Sequence, residues 1–239
     1  QVGVCCVYGK IIPEFLIKKF EQGILNIHPS LLPKYRGASP AVGIILNEEK
    51  VTGFSFIQVD EKVDHGPIVF QEQFPISNQI TAADLYRQTF QKAADKLPKI
   101  LIQYQQGLLK PKPQDHQKAN FTPRLKRDDG YIEVNLLKKA LEKEKVSFVN
   151  LPELAKKIIF YPKKEYQAAK IVFDLYRSLY PWPGIWTIIE VSGKARRLKI
   201  LRIHFKEGRL AIDQVQLEGK NPVSWQESGL KSSLLGYKG

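Results

Sequence analysis

The chain has 239 residues, of which 43% are hydrophobic and 26% are charged, and its net charge at neutral pH is +13. This length suffices for two modest domains with hydrophobic cores, and the composition is typical of a soluble globular protein, not of a disordered or membrane protein. No apolar run is long enough to span a bilayer, and no signal-peptide pattern is present.

The first half of the chain alternates strand and helix patterns. The apolar run Val2–Tyr8 predicts a strand covered on both faces, and Pro13 predicts the start of a short helix. The elements predicted next are strand Ile24–His28, a helix from Pro40, strands Val51–Val59 and Ile68–Phe74, and an amphipathic helix Ala82–Tyr104. This alternation predicts an α/β domain with a largely open sheet.

The two cysteines, Cys5 and Cys6, are neighbours inside the first apolar run. Successive strand residues point to opposite faces, so we expect two buried small hydrophobes and no disulfide. A reducing cytoplasm suits this usage. The chain contains no methionine and opens inside a predicted strand, so we expect its natural start to be missing.

The composition changes at 108–130, a polar stretch with three prolines that predicts an extended linker. We therefore divide the chain into a first domain at 1–110, a linker at 111–130 and a second domain at 131–239. The second domain has two predicted helices, Leu136–Lys145 and Glu165–Leu179. Its predicted strands, which favour a small antiparallel β domain of barrel type, are Trp186–Val191, Leu198–Phe205 and Leu210–Leu217.

The positive charge is unevenly spread along the chain. The first 120 residues hold 14 Lys and Arg against 11 Asp and Glu (+3), whereas the remainder holds 23 against 13 (+10). A basic second half indicates a polyanionic partner, with RNA or DNA first in line. A solubilising lysine surface explains the charge equally well.

Three polar side chains stand out in the first half. Asn26 and His28 share one face of their predicted strand, because side chains alternate along a strand. Asp64 lies in the turn between two predicted strands, where Gly66-Pro67 prevents regular structure. Because loops at the carboxyl ends of strands in an open α/β sheet converge on a ligand crevice, we expect these residues to meet there.

Such a trio suits acyl-type transfer. An amide can hold a carbonyl oxygen as it becomes an oxyanion, a histidine exchanges protons near neutral pH, and a carboxylate orients that histidine. No serine or cysteine stands in an activating setting, so direct attack by an amine is more natural than a covalent intermediate. The alternative is a structural histidine beside a common Asp-x-Gly turn. Neither a nucleotide-binding motif nor metal-ligand spacing is present.

The stretch ILNIHPSLLPKYRGASP closely resembles the signature of the folate-dependent formyltransferases, and VDEKVDHGPI resembles their Asp-x-Gly segment. Three later stretches, ANFTPRLKRDDGYIE, RSLYPWPGIWT and VQLEGKNPVSW, resemble the linker and C-terminal domain of the branch that formylates methionyl-tRNA. The resemblance covers nearly the whole chain and is interrupted by a Lys-rich stretch at 134–164. It implies an open Rossmann-like formyltransferase domain, here lacking its first strands, and then a small OB-like β-barrel domain.

The resemblance also implies roles for matching residues. Asn26 and His28 would hold the formyl oxygen, and Asp64 would keep His28 in its proton-donating form. The folate-contacting loop would consist of Ser30, Leu31, Leu32 and Pro33, with the prolines stiffening the loop. The segment lining the pterin pocket would be Gly9, Lys10, Ile11 and Ile12. Tyr35 and Arg36 would either face the acceptor end of a tRNA or structure their own loop.

The substrates follow from the same resemblance. The co-substrate would be 10-formyltetrahydrofolate, without a metal, and the acceptor would be the α-amino group of methionine on initiator tRNA, for translation initiation. The basic second domain would lie along the phosphates of the tRNA. We expect no DNA or membrane partner, a monomer, and a bacterial cytoplasmic location, although the missing start could have held a targeting peptide. Trp182, Trp186 and Trp225 are predicted to be core or interface residues.

Other functions fit parts of the pattern. The same scaffold could formylate an amino sugar attached to a nucleotide, or hydrolyse 10-formyltetrahydrofolate with water as the acceptor. From a different class, the chain could be a non-catalytic RNA-binding fragment. The intact Asn-His-Asp set speaks against that last alternative.

Overall fold

The computed structural model of the chain describes residues 1–231 and 234. These residues form two compact units, one spanning Gln1–Arg124 and the other beginning at Leu125. No helix among the described residues is long and apolar enough to cross a membrane.

The first unit contains one main sheet. Its elements in chain order are β1 (Gly3–Cys6), α1 (Glu14–Ile17), β2 (Ile24–His28), β3 (Arg36–Gly37), α2 (Pro40–Leu46), β4 (Val51–Gln58), β5 (Ile68–Pro75), α3 (Ala82–Gln105) and β6 (Phe121–Thr122). The main sheet has the order β1-β2-β4-β5. β1 and β2 are parallel, whereas β4 is antiparallel to both β2 and β5. The α/β fold is therefore confirmed.

Local sequence signals explain where these elements begin. Pro40 occupies the first turn of α2, where its missing N–H costs nothing. Thr81 caps α3, because its Oγ1 accepts a hydrogen bond from the backbone N–H of Asp84 at 3.2 Å. The core between sheet and helices is mainly apolar, and its fully buried members include Leu25, Ile44, Phe54, Phe56 and Leu85. This core supports β2, the strand with two of the candidate site residues.

The first strand differs from the prediction. β1 is an edge strand within the described chain, and Val4 and Cys6 on it are exposed while Cys5 is half-buried. The expectation of a strand covered on both faces, with both cysteines buried, is thus wrong for this structure, because nothing described packs on its outer side. Both thiols are free, as predicted.

A short second pairing lies in the same unit. β3 pairs in parallel with β6, so that Arg36 is opposite Phe121 and Gly37 is opposite Thr122. Thr122 reinforces the pair, because its Oγ1 donates to the carbonyl oxygen of Arg36 at 3.0 Å and accepts from the N–H of Ser39 at 3.2 Å. The predicted linker at 111–130 therefore includes residues bonded into the first unit.

The second unit joins small helices to an antiparallel sheet. Its elements are α4 (Val134–Leu141), β7 (Lys145–Ser147), α5 (Glu153–Ile158), β8 (Glu165–Gln167), α6 (Ala168–Leu179), β9 (Ile185–Val191), β10 (Lys194–Lys206), β11 (Arg209–Leu217) and β12 (Val223–Ser224). The main sheet has the order β12-β11-β10-β9. Among the described residues this sheet does not close on itself, so the predicted barrel is an open four-stranded sheet there.

Two predicted helices of this unit are shorter than expected. The helix predicted at Leu136–Lys145 extends too far at its C-terminal end, because Lys143 has a left-handed φ of 63° and Lys145 begins β7. Glu165–Leu179 began too early, because Glu165–Gln167 pairs with β7 as β8. The Lys-rich stretch at 134–164 is thus folded, with Leu137 and Ile158 in the core.

Candidate active site and basic strand face

The three candidate residues meet in the first unit. Asn26 and His28 project from alternate positions of β2, and Asp64 lies in the loop between β4 and β5. Nδ1 of His28 lies 3.3 Å from Oδ1 of Asp64, and Nδ2 of Asn26 donates to the same oxygen at 3.4 Å. The trio is thus a contiguous hydrogen-bonded group at the end of a buried strand.

His28 is held from both sides. Its side chain is almost completely buried, and Nε2 donates to the carbonyl oxygen of Tyr35 at 2.9 Å while Nδ1 faces Asp64. A carbonyl and a carboxylate both accept hydrogen bonds. Both contacts are therefore satisfied together when both ring nitrogens carry protons, which is the positively charged, proton-donating form of the imidazole.

Asp64 is fixed by its backbone neighbours as well as by His28. Its φ is 49°, in the left-handed region, and its Oδ2 accepts the N–H of Gly37 at 2.8 Å. Burial raises the pKa of Asp64, but the hydrogen bond and charge of His28, the Gly37 N–H and the charge of Arg36 outweigh that burial. The pKa of Asp64 therefore lies below its ordinary value, and the carboxylate is ionised at neutral pH.

The loop that carries Asp64 has little freedom. A Cβ on Gly66 would lie 1.8 Å from the backbone oxygen of Gln58, so only glycine fits this close approach. Earlier in the loop, Oδ2 of Asp60 contacts Nδ1 of His65 at 2.6 Å. Local packing therefore requires the glycine of the Asp-x-Gly pattern, whatever chemistry the loop performs.

A residue that sequence reasoning missed completes the site. Gln114 is buried, and its Nε2 donates to the backbone oxygens of Asp64 at 2.9 Å and Gly66 at 2.7 Å. Its Oε1 accepts from Nη2 of Arg36 at 2.6 Å and from Nε at 3.2 Å. Gln114 stands in a proline-flanked polar stretch, and no sequence pattern distinguishes it from a solvent-exposed linker residue.

Tyr35 and Arg36 are structural residues in this fold. Their side chains are 4% and 3% exposed, which excludes the expectation that they face a tRNA end in this conformation. The backbone N–H of Tyr35 donates to Oδ1 of Asn120 at 2.6 Å. Arg36 donates to Gln114 and contacts Nδ1 of His116 at 2.9 Å. Burial lowers the pKa of Arg36, and the nearby carboxylates of Asp64 and Asp60 oppose this effect.

The predicted folate loop divides into inward and outward residues. Ser30 and Leu32 are buried, and Leu31 and Pro33 are partly exposed. The hydroxyl of Ser30 donates to the carbonyl oxygen of Lys34 at 2.7 Å, and the N–H of Leu32 donates to Oγ of Ser55 at 3.1 Å. The inward pair therefore shapes the loop, and the outward pair is accessible to a ligand.

The predicted pterin-pocket segment lies between β1 and α1. Gly9, Lys10 and Ile11 are exposed and Ile12 is half-buried, with 70% of Ile11 accessible. The carbonyl oxygen of Gly9 accepts from Nη2 of Arg124 at 3.3 Å. On the preceding strand, the thiol of Cys5 donates to Oδ1 of Asn26 at 3.4 Å. Burial, Cys6 and Asp64 raise the pKa of this thiol to about 11, so Cys5 is a neutral donor.

In the second unit, one face of β10 is strongly basic. Apolar residues of this strand alternate inward at Leu198, Ile200 and Ile203, and Phe205 stacks on Phe173 of α6 at 5.5 Å. The basic side chains on the opposite face are Arg197, Lys199, Arg202, His204 and Lys206. These five residues are called the basic face below.

A β-bulge keeps the basic face continuous. The register of β10 shifts between Ile200 and Arg202, which inserts one extra residue. Without that insertion the period of two would turn Arg202 and its successors inward. The bulge therefore aligns Arg202 with Lys199 on one side of the strand. Arg197 also lies 4.8 Å over the ring of Trp186, which holds both side chains against the sheet.

The predicted positions of the tryptophans are only partly found. Trp186 is half-buried, and its Nε1 donates to the backbone oxygen of Arg127 at 3.3 Å. Trp182 is 56% exposed, which excludes the core alternative for this residue and leaves its interface alternative a prediction. No group of three or more His, Cys, Asp or Glu side chains among the described residues is arranged to hold a metal ion.

Comparison with known proteins agrees with this geometry. Residues 1–101 match the Formyl transferase family. A methionyl-tRNA formyltransferase from a Synechococcus species is 32% identical over 227 residues, covering 94% of this chain and 68% of the relative. One from Thermodesulfovibrio yellowstonii is 29% identical over 241 residues, covering the whole chain and 66% of the relative. The chain thus spans slightly less than two thirds of the latter protein's length.

A solved structure resembles the fold. HypX from Aquifex aeolicus, determined in complex with tetrahydrofolic acid, superposes with a TM-score of 0.60 at 17% identity, covering 99% of this chain and 39% of HypX. This likeness concerns the fold. From the matched residues and the extent of the similarity to its relatives, the chain belongs to the methionyl-tRNA formyltransferase family.

Proposed function

We propose that the protein transfers a formyl group from 10-formyltetrahydrofolate to the α-amino group of methionyl initiator tRNA. The observation that carries this proposal is the hydrogen-bonded group of Asn26, His28 and Asp64, within the part of the chain that matches formyltransferases. It contains an amide donor, an imidazole whose two nitrogens face a carbonyl oxygen and a carboxylate, and an ionised carboxylate. Formyl transfer to an amine requires these three functions.

Asn26 serves as the donor to the formyl oxygen. Its amide has two N–H groups, of which one points to Asp64, and the thiol of Cys5 donates to its oxygen. The Cys5 contact fixes which way the amide is turned, so its nitrogen is on the donor side. A fixed N–H donor stabilises negative charge as it develops on the carbonyl oxygen.

His28 supplies the second donor and a proton. Of its two contacts, the one between Nδ1 and Asp64 is the longer, at 3.3 Å against 2.9 Å for Nε2 and Tyr35. We propose that a substrate oxygen approaches Nδ1 at this longer contact, while Asp64 stays beside the ring. Nδ1–H then donates to the oxyanion while Nε2 stays anchored to the backbone.

Asp64 acts on His28 and on the attacking amine. Its carboxylate favours the charged imidazole by attraction at close range. As the amine adds to the formyl carbon it loses a proton, which the ionised Asp64 would accept directly or through one water. The bond between the formyl carbon and the folate nitrogen then breaks, and that nitrogen takes up a proton as tetrahydrofolate leaves. The folate donor supplies the formyl carbon, and the protein residues orient it, stabilise the oxyanion and move the proton.

The loop residues suit a flat, partly apolar donor. Leu31 and Pro33 are the accessible side chains of the predicted folate loop, and Ser30 and Leu32 hold its backbone in place. We propose that Leu31 and Pro33 contact the folate directly. Ser30 and Leu32 contribute through the shape of the loop, and the segment Gly9–Ile12 provides further apolar surface.

The basic face suits the phosphates of an RNA. Lys199, Arg202 and Lys206 present three exposed positive charges along one strand, and Arg197 beside them is half-buried against Trp186. Such a row neutralises successive phosphates and releases counterions, which gives affinity that falls as salt rises. We therefore propose that this face binds the acceptor tRNA. RNA binding would then reside in residues 131–239 and the chemistry in residues 1–110, supported by linker residues of 111–130, such as Gln114, that are bonded into the first unit.

The proposal is tested by offering the protein a choice of acceptors. The full protein carrying this sequence is incubated with 10-formyltetrahydrofolate and with methionyl initiator tRNA, with an amino-sugar nucleotide, or with water alone. The kcat/KM for methionyl-tRNA should exceed that for either other acceptor by at least about tenfold. Loss of one good contact between enzyme and substrate lowers kcat/KM by about that factor. Faster formylation of the amino sugar, or formate release without transfer, would reject the tRNA as the substrate.

A further inference from the structure

Gln114 makes four polar contacts that converge on the candidate catalytic loop. Its Nε2 donates to the backbone oxygens of Asp64 and Gly66, at 2.9 and 2.7 Å. Its Oε1 accepts from Nη2 and Nε of Arg36, at 2.6 and 3.2 Å. A neutral side-chain amide offers two donors and two acceptor sites, so these contacts use its full capacity.

We propose that Gln114 is a positioning residue that sets the orientation of the Asp64 carboxylate. This inference rests on the proposed function, because it assigns Asp64 a role in formyl transfer. Gln114 acts through the backbone of the loop and through Arg36, and it touches no substrate. It lies in the stretch predicted as a linker, so the segment after α3 completes the site.

The loop around Asp64 needs such support, because its backbone is strained. Asp64 has a φ of 49°, a conformation that residues with a side chain adopt only when their surroundings enforce it. Gly66 is pressed against the backbone of Gln58, and Gln114 bonds the carbonyl oxygens on both sides of His65. Release of these two bonds would let the peptide groups rotate and carry the carboxylate away from His28.

Through Arg36, Gln114 also affects the electrostatics of Asp64. Its guanidinium is buried, and its attraction stabilises the ionised form of Asp64. Gln114 keeps Arg36 in place without neutralising it. A glutamate at this position would also hold Arg36, but its carboxylate oxygens would face the two carbonyl oxygens with no proton to donate. Glutamine is thus the side chain that serves both contacts.

Two substitutions separate the two contacts. Gln114→Glu keeps the acceptor for Arg36 and removes both donors to the loop, whereas Gln114→Met removes donors and acceptor at similar length. Gln22→Glu is the matched control, because Gln22 also donates to a backbone carbonyl in this unit, that of Gln105, at 3.1 Å. Steady-state formyl transfer is measured for the four proteins in their full-length form.

We expect both Gln114 variants to lower kcat by about 10- to 100-fold, the cost of misplacing a catalytic group by about 1 Å. KM for each substrate should stay within about threefold of wild type, and Gln22→Glu should match wild type throughout. Wild-type kcat in both Gln114 variants would overturn the proposal. A lowered kcat in Gln114→Met alone would overturn positioning through the two loop bonds and leave only the contact with Arg36.

A second readout does not depend on activity. The Asp64 carboxyl group is followed by 13C NMR titration and identified by its absence in Asp64→Asn. The groups facing it are His28 and Asn26 from β2, Arg36 from β3 and Cys5 from β1. In Gln114→Met the Asp64 carboxyl should protonate at higher pH than in wild type. An unchanged titration would overturn the positioning role.

The two readouts distinguish the two proposals. Absence of formyl transfer by the wild-type protein rejects the proposed function, and the NMR titration then still decides whether Gln114 positions Asp64. Normal transfer with an unchanged titration in Gln114→Met rejects the positioning role alone.

Discussion

The candidate active site and the basic face place polar groups in opposite environments. His28, Arg36 and Gln114 are nearly fully buried, and each has polar partners within 3.3 Å. Lys199 and Arg202 of the basic face are exposed side chains on the surface of a sheet. The candidate active site holds a few atoms at fixed distances, whereas the basic face presents positive charge along a strand.

This contrast predicts two kinds of response to mutation. A buried network has few alternatives when one member is removed, so single changes there should be severe and non-additive. Exposed charges act through screened, long-range attraction, so their removal should be graded, nearly additive and sensitive to salt.

The largest effect is expected from Asp64→Asn. Asparagine keeps the shape but not the charge, so it neither favours the protonated imidazole nor accepts a proton. We expect kcat for formyl transfer to fall by about 10²–10⁴, the usual contribution of acid–base groups. The tRNA dissociation constant, measured by filter binding, should change less than about twofold. A kcat within tenfold of wild type would exclude the proposed role of Asp64.

The next effect concerns the basic face. Lys199→Glu with Arg202→Glu should weaken tRNA binding by at least about tenfold and reduce the slope of log affinity against log salt by about 1 for each phosphate that is no longer neutralised. Lys99→Glu with Lys112→Glu carries the same charge change on exposed residues of the first unit and is the control. Equal weakening by both pairs would show that net charge, and not this face, binds the RNA.

A smaller effect, on stability alone, is expected outside both regions. Thr81→Ala removes the cap of α3, where Oγ1 accepts the N–H of Asp84. It should lower the free energy of unfolding by about 1 kcal/mol, as measured by urea denaturation. Formyl transfer and tRNA binding at 25 °C should stay at wild-type levels. If kcat fell with stability here, a lower kcat in the active-site variants could not be attributed to chemistry.

The smallest signal is the pH dependence of stability. The pKa of Asp64 is lowered in the folded state despite its burial, mainly by His28, Gly37 and Arg36. A lowered folded-state pKa stabilises the protein fully above the unfolded pKa of about 4, and that stabilisation is lost as pH falls through the folded value. The free energy of unfolding of wild type relative to Asp64→Asn should therefore decrease below about pH 4. A difference that grows with acid would contradict the sign.

Much of the first unit could be predicted because local patterns and tertiary packing agree. Strand Ile24–His28 was predicted to the residue, and helix α3 to within one residue at its end. The proximity of Asn26 and His28 followed from the period of a strand. Their meeting with Asp64 was an expectation based on where loops converge in open sheets, and the 3.3 Å contact agrees with it.

The remainder depends on long-range contacts that no local pattern encodes. Gln114 is separated from Arg36 by 78 residues, and its stretch looks like a linker because prolines and polar residues surround it. The burial of Tyr35 and Arg36 follows from their pairing with residues 120–122, which is equally remote. In the second unit, three-residue strands such as Lys145–Ser147 are too short for a period to be recognised.

The most direct test of the division between chemistry and binding is single-turnover formyl transfer at saturating methionyl initiator tRNA, comparing wild type, His28→Ala and Lys199→Glu/Arg202→Glu. We predict that His28→Ala lowers the rate at saturation by at least about 10², whereas the basic-face variant reaches the wild-type rate within about twofold once enough tRNA is supplied. A wild-type rate at saturation for His28→Ala, or a basic-face variant that stays slow at saturation, would contradict the assignment of chemistry to His28 and of binding to the basic face.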